Sequence, residues 1–390
     1  MTQTVGFGVL YYAFSVFLEP MERELGWSRA ASAGAFSLAL LVSGLAAPFC
    51  GRWVDRHGAR ALMSLGSALG ALLVFAWSLV SSLPLFYLIQ AGLGLVMAAT
   101  LYDVAFTVLA VWFRRRQHGA MLVVTLVAGL ASTIFVPTAT LLEAQLGWRG
   151  ALQVLALLLA LLSLPPHALL LRRRPEDLGL SPDGLPLAEG PEREPGDLIG
   201  PRQALRQGAF WWLSAAFALS RFTVVAVAAH SVPLLLERGY SSALAAAAVG
   251  SIGLMQVAGR LVYTPALARV PLGALACATF ALQALALLAL LGPPGLGVWL
   301  FAGLFGLTNG ALTLLRAALV AAHFGSRHYG AINGNMALVI ALVQTGAPLG
   351  AGLLHDAARS YTPVLWLLAA ASLLAALAVL RSTTEVARAP

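Results

Sequence analysis

The sequence predicts an all-α integral membrane protein with twelve transmembrane helices in two pseudo-symmetric six-helix bundles. Three observations lead there. Charged residues make up only 10% of the 390 residues and hydrophobic ones 59%, where soluble proteins carry about 25% charge. Apolar runs close to the roughly 20 residues that a bilayer core requires recur twelve times, and an open sheet cannot span lipid. The second half of the chain also repeats the first at a nearly constant offset.

In order, the expected spans are residues 2–19, 30–50, 61–81, 85–112, 119–142, 150–171, 209–236, 242–262, 271–291, 296–322, 329–354 and 362–381. Most links between them are short. The long polar stretch from Arg172 to Gly208, with three consecutive arginines, six prolines and seven acidic residues, reads as a linker. The expected organisation is a first bundle over 1–171, a linker over 172–208, and a second bundle with a short tail over 209–390. A repeat offset of 213 residues would start the first span before residue 1, so either its first turn is dispensable or the native start lies upstream.

Every one of the 24 basic residues is Arg, and their placement orients the chain. One set of loops holds Arg52, Arg56, Arg60, Arg114, Arg115, Arg116, Arg172, Arg173, Arg174, Arg193, Arg202, Arg206, Arg260, Arg269, Arg327, Arg381 and Arg388. The opposite loops hold Arg23, Arg29, Arg149, Arg238 and Arg359. The 17-to-5 split makes the first set cytoplasmic and, with an even number of spans, both termini as well. The expected location is the cell inner (plasma) membrane. A net charge of +8 suits the anionic cytoplasmic leaflet better than nucleic acid, because the arginines are dispersed between apolar runs. Cys50 and Cys277 form no spacing motif, so no metal site or disulfide framework is expected, and no secretory cleavage pattern is visible.

Paired landmarks define the repeat. Pro20 with Glu24-Leu25-Gly26-Trp27-Ser28 matches Pro233 with Glu237-Arg238-Gly239-Tyr240-Ser241. Gly51-Arg52 matches Gly259-Arg260, Phe113 with Gly119-Ala120 matches Phe324 with Gly330-Ala331, and Pro137 matches Pro348, at offsets of 208 to 213. Leu146-Gly147-Trp148-Arg149 echoes the first landmark three helices later.

Between spans two and three, Gly51-Arg52-Trp53-Val54-Asp55-Arg56-His57-Gly58-Ala59-Arg60 reads as a tight cytoplasmic turn. Its acid can pair locally or sit at a helix N-terminus, where the dipole favours negative charge. The segment resembles the Gly-x-x-x-Asp-Arg-x-Gly-Arg loop signature of the Major Facilitator Superfamily, with Trp53 where Leu is commoner. The resemblance extends over the chain through its twelve spans, 6+6 repeat and long central loop. It implies that Asp55 is a latch acid joining the halves when the cytoplasmic side is closed, with Arg56 and Arg60 as its neighbours. Tyr11 to Phe17 before Gly26-Trp27-Ser28-Arg29, and Gly346-Ala347-Pro348 to Asp356, are similar to bacterial monocarboxylate transporters and oxalate:formate exchangers.

Ionisable groups at bilayer depth are expensive, about 2.5–3.5 kcal/mol on insertion scales, and mark function. Three strong ions qualify: Asp103 in span four, Arg221 in span seven and Arg316 in span ten. The resemblance implies that spans one, four, seven and ten line the central path, and hydropathy alone puts the ions on three of them. Span one adds Tyr11 and Tyr12, which face directions about 100° apart. Arg221, at mid-span, suits a carboxylate through its planar fork. Asp103 and Arg316 read either as a permanent ion pair or as a gate pair, with Asp103 carrying a coupled proton. Asn309 and His230 are further substrate candidates, against interhelical bonding for the first and a structural role for the second. Asn333 and Asn335 suit a cap or the gate, and Gln256 and Gln344 suit interhelical bonding.

The expected function is secondary active transport of a small organic anion, a monocarboxylate by the subfamily resemblance, with protons and by alternating access, in a monomer without cofactor or metal. Export of a drug or hydrophobic metabolite and a non-translocating receptor are the alternatives. An enzyme is not expected: His355-Asp356 is the nearest approach to a catalytic pair, and neither a phosphate loop nor a metal spacing occurs.

Overall fold

The structure, a computed structural model, describes residues 1–185, 199–292 and 295–388, without the side chains of 29, 30, 118, 242, 246 and 386–388. Arg193 and the rest of 186–198 in the expected linker lie outside the described residues. Among the described residues, eleven helices are long and apolar enough to cross a membrane. They are α1 Thr2–Leu25, α2 Ala31–His57, α3 Ala59–Ser78, α4 Leu83–Trp112, a 51-residue run Gly119–Leu169, α7 Gly208–Glu237, α8 Ala243–Arg269, α9 Leu272–Ala289, α10 Leu296–Phe324, α11 Tyr329–Ala358 and α12 Thr362–Glu385. At 1.5 Å per residue the run would be far longer than a bilayer is thick. It turns at Gly147, whose φ of 68° and ψ of 168° are not helical, so it comprises α5 (119–146) and α6 (148–169). Only glycine enters that backbone region without strain.

Two spans depart from the expected continuous helix. In α1, residues Gly8–Tyr12 wind as a π-helix, a form that favours functional sites. In α4, Leu101 is extended (φ −87°, ψ −161°) and divides the span into Leu83–Thr100 and Tyr102–Trp112. Hydropathy averages over such a break, because the residues on both sides are equally apolar. The motif between spans two and three is also not a ten-residue turn. Helix α2 continues to His57, so Asp55 and Arg56 ride on its last turns, and the reversal falls on Gly58 alone (φ 79°).

The chain forms two compact units: Met1–Leu198 with Ser326–Leu338, and Ile199–Gly325 with Val339–Pro390. The first unit thus includes Ser326–Leu338, the turn before α11 and its first residues. The first unit has an aromatic core in which Phe14, Phe17, Trp77 and Phe86 meet. At the end away from the arginine-rich loops, Glu24 closes it. Its carboxylate accepts hydrogen bonds from Trp148 Nε1 (2.6 Å) and Arg149 Nε (2.9 Å). Arg149 also donates to the carbonyls of Ser78 (2.6 Å) and Val80 (2.9 Å) and stacks on Trp148, 4.2 Å from the ring centre.

In the second unit, Gly259, Gly306 and Gly310 let the backbones of α8 and α10 touch, against Leu307, Ile252 and Gln256. Small residues drive helix association where lipid supplies no hydrophobic force. The span α11 bends at Gly346, just before Pro348, whose ring removes a helical N–H.

The linker begins folded onto the first unit. Asp183, in the left-handed region at φ 64°, accepts the backbone N–H groups of Arg114 (3.2 Å), Arg115 (2.9 Å) and Arg116 (3.1 Å), which precede helix α5. Partial burial opposes the charge of this carboxylate, but the three N–H groups and the Arg116 cation outweigh it and hold Asp183 below its ordinary value of 3.8. A depressed acid contributes above its unfolded value and loses that contribution as pH falls through the folded one. Replacing Asp183 by Ala removes a cap worth about 1 kcal/mol. Tryptic cleavage at Arg172–Arg174 should accelerate roughly fivefold at pH 7, and the docked wild-type linker should be released in circular-dichroism or fluorescence titrations only below about pH 4.

Candidate functional site

Two carboxylates of the first unit hold the start of α11. Asp55 accepts from the backbone N–H of Gly330 (2.9 Å, Oδ1) and of Ala331 (2.7 Å, Oδ2). Those are first-turn donors without a partner inside their own helix, and the helix dipole there favours an anion. One turn on, Asn333 donates from Nδ2 to Asp103 Oδ1 at 3.0 Å. Glycines make the approach close enough. Gly51 lies against the Gly330 carbonyl, and Gly334 against the Ala47 carbonyl, so a Cβ at either position would collide with backbone. Arg56 is exposed on the last turn of α2, whereas Arg60 donates to the Ala168 carbonyl of α6 at 2.6 Å. Asn335 bonds back to Ala331 within its own helix (2.7 Å).

The break in α4 explains how Asp103 is presented. The carbonyl of Thr100, at the break, accepts a hydrogen bond from Gln3 Nε2 of α1 at 2.7 Å. Asp103 then falls in the first turn of the second segment, half-buried, rather than in mid-helix. Beside the break, His167 of α6 is 3% exposed and its Nδ1 lies 2.8 Å from Ser67 Oγ.

The candidate substrate residues divide by unit. In the first, Tyr11 meets Tyr12 and Phe36 edge-on, each at 5.3 Å between ring centres. Both tyrosines are half-buried and both lie on the π turn. In the second, Arg221 is exposed at mid-span of α7. An exposed guanidinium at this depth faces water, because lipid would not tolerate it. Its Nε donates to Gln344 Oε1 of α11 at 3.2 Å. Asn309 and Arg316 are both half-buried in α10. His230 is engaged at both ring nitrogens: Nδ1 lies 3.0 Å from the Tyr361 hydroxyl and Nε2 2.9 Å from the Pro348 carbonyl. A carbonyl only accepts, so Nε2 carries hydrogen, Nδ1 accepts from Tyr361, and a neutral ring satisfies both. No ring nitrogen is left over for a ligand.

Sequence reading missed Gln3 and left Gln344 as a generic interhelical bond. A lone amide in an apolar run was the available signal for Gln3. Gly330-x-x-x-Gly334, a small-residue spacing at the start of α11, was the one for the close contact. Asp55→Asn keeps the shape but removes a charge that serves two backbone donors. Hydrogen bonds to charged groups are worth about 1.5–3 kcal/mol each, so the start of α11 should detach. Half-buried Cys50, next to Gly51, reports on this. In a Cys277→Ser background, maleimide labelling of Cys50 should be at least about tenfold faster in the Asp55→Asn protein.

A family model described as the Major Facilitator Superfamily matches residues 2–334. The chain is 30% identical over 397 aligned residues to an uncharacterised 38 kDa protein in the 23S RNA operon of Thermoproteus tenax, covering 98% of this chain and 94% of that one. It is similar in fold to the human organic anion transporter MFSD10 (TETRAN), with 17% identity, TM-score 0.69, and 99% and 98% of the two chains covered. It is likewise similar to the Major Facilitator Superfamily transporter FucP in its outward conformation, with 15% identity, TM-score 0.67, and 99% and 96% covered. Multiple apolar spans, the family match and a relative alike along almost its whole length lead to one conclusion: the chain belongs to the Major Facilitator Superfamily and is a membrane transporter, not an enzyme.

Proposed function

We propose that the protein moves a small organic anion, of the monocarboxylate class, by alternating access and with protons. The observation that carries the reading is Arg221. Gln344 occupies only its Nε, and among the described residues the two terminal nitrogens of the fork have no hydrogen bond. A planar pair of donors fixed at its base and open at its tip matches a carboxylate in two parallel bonds. Holding Nε also lowers the rotamer entropy lost when the anion arrives. Tyr11, Tyr12 and Asn309 supply hydroxyl and amide groups for the rest of a small substrate. His230, bonded at both nitrogens, serves instead to hold α7 to the bend in α11.

Asp103 is the proposed coupling group, because it lies in the first turn of a helix and accepts from the Asn333 side chain, two contacts that favour its charged form and weaken when it is protonated. Arg316, on α10, is its proposed counter-ion in the gate, and Asp55 with Arg56 and Arg60 forms the latch. The 172–208 linker divides the chain into the two bundles, and the arginine-rich loops and both termini face the cytoplasm across the inner membrane. The protein functions as a monomer.

Proteoliposome uptake tests the anion site. Arg221→Ala should abolish carboxylate uptake, by a factor of about 100 or more for a lost bidentate charged pair, while insertion and thermal stability stay near wild type. Full uptake by this variant removes Arg221 from the site. Asp103→Asn should still exchange anion down its gradient but lose stimulation by an imposed pH gradient. Unchanged stimulation removes Asp103 as the proton carrier.

A further inference from the structure

The end of the second unit opposite the arginine-rich loops carries a cluster outside the anion path. Glu237, the last residue of α7, accepts from Tyr361 N (2.8 Å) and Ser360 Oγ (3.1 Å) through Oε1. Its Oε2 lies 3.1 Å from His355 Nε2, and the other ring nitrogen of His355 lies 3.2 Å from Asp356 Oδ1. The His355 ring lies on Tyr361, with 4.2 Å between centres and 32° between planes. Arg359, which leads into this turn, is in the left-handed region at φ 53°, where a non-glycine residue is held only by its surroundings.

This is the Glu24 clasp of the first unit, rebuilt at the repeat. Glu24 and Glu237 are matched landmarks, and Gly147 and Arg359 both have positive φ immediately before partners of the acid. Arg149 stacks on Trp148 in one unit, and His355 stacks on Tyr361 in the other. One thing differs. The cation of the first clasp is an arginine that never loses its charge, whereas that of the second is a histidine facing carboxylates at both nitrogens. Carboxylates only accept, so both contacts are satisfied together only by the doubly protonated ring. A neutral imidazole has one N–H for two acceptors.

We propose that His355, Glu237 and Asp356 form a proton-binding site that fastens the end of α7 to the turn between α11 and α12. Its ligand is a proton from the aqueous phase on that side. The groups around it are consistent with this. Tyr361 stacks on the ring and donates to His230, which is satisfied as a neutral ring. Arg238, next to Glu237, donates to the Gly292 carbonyl (3.4 Å). Burial, with the Glu237 and Asp356 carboxylates, pushes the Tyr361 hydroxyl above its ordinary value and keeps it a donor. Acid therefore closes the clasp and base loosens it, while the first clasp stays shut throughout. The site stands apart from Asp103 and rests on the transport reading only for its consequence, which is faster uptake with acid on that side.

Hydrogen exchange on the full-length protein in detergent tests the site at the Tyr361 amide, which donates to Glu237. After correction for intrinsic exchange, its protection should fall roughly tenfold between about pH 5 and pH 8, while the Trp148–Arg149 segment shows no change. His355→Arg should keep protection high at both pH values, and His355→Gln should keep it low at both. Wild-type protection that ignores pH, or a His355→Arg protein that follows the wild-type profile, overturns the proposal. If exchange behaves as expected but acid stimulation of uptake survives in His355→Arg, the site stands and its link to transport fails.

Discussion

A backbone group that stops helical bonding within lipid must find another partner, since hydrocarbon supplies none. The candidate site of this protein is arranged around that constraint. Helix α4 stops at Leu101, and the freed Thr100 carbonyl is met by Gln3 from α1. Helix α11 starts at its arginine-rich end with bare N–H groups, and the Asp55 carboxylate from α2 meets two of them. Each solution ties one span to another through a polar bond that no lipid can replace. Each also creates a position where charge is tolerated: Asp103 just after the break, and Asp55 against the α11 dipole.

Both acids hold the same short stretch of α11, and they do so in different ways. Asp55 bonds to backbone N–H groups, so its contact calls on no particular side chain, but only glycines at 51 and 330 admit the approach. Asp103 bonds to a side chain, Asn333, and so depends on residue identity. The first contact is set by shape and dipole, the second by chemistry.

Much of the fold was legible in the residues themselves. Hydropathy separates the spans because apolar length is a direct requirement of the bilayer, and the repeat shows in landmarks such as Glu24 and Glu237 because both halves reuse one turn. The three intramembrane ions stood out for the same energetic reason. The motif around Asp55 was recognisable but misjudged in form. A run with two glycines and four charged residues reads as a turn, yet seven of its residues extend α2, because Gly51 is needed for close packing rather than for reversal. The apolar pattern does not mark Leu101 or the π turn at Gly8–Tyr12, since both are changes of backbone winding that hydropathy averages over.

The amino-acid sequence by itself determined that this chain lives in lipid, how many times it crosses, and which few charges it carries into the membrane. Those properties follow from solvation, which each segment satisfies largely alone. Tertiary structure decided what the charges do. Arg221 became an open fork because Gln344 of another helix holds its base, and His230 was closed off because Tyr361 and Pro348 take both its nitrogens. His355 came to face two carboxylates because a left-handed turn at Arg359 brings the α11–α12 connection onto Glu237. Hydrogen-bond partners more than a hundred residues apart are set by packing, and only packing selects between a charge that binds and a charge that merely braces.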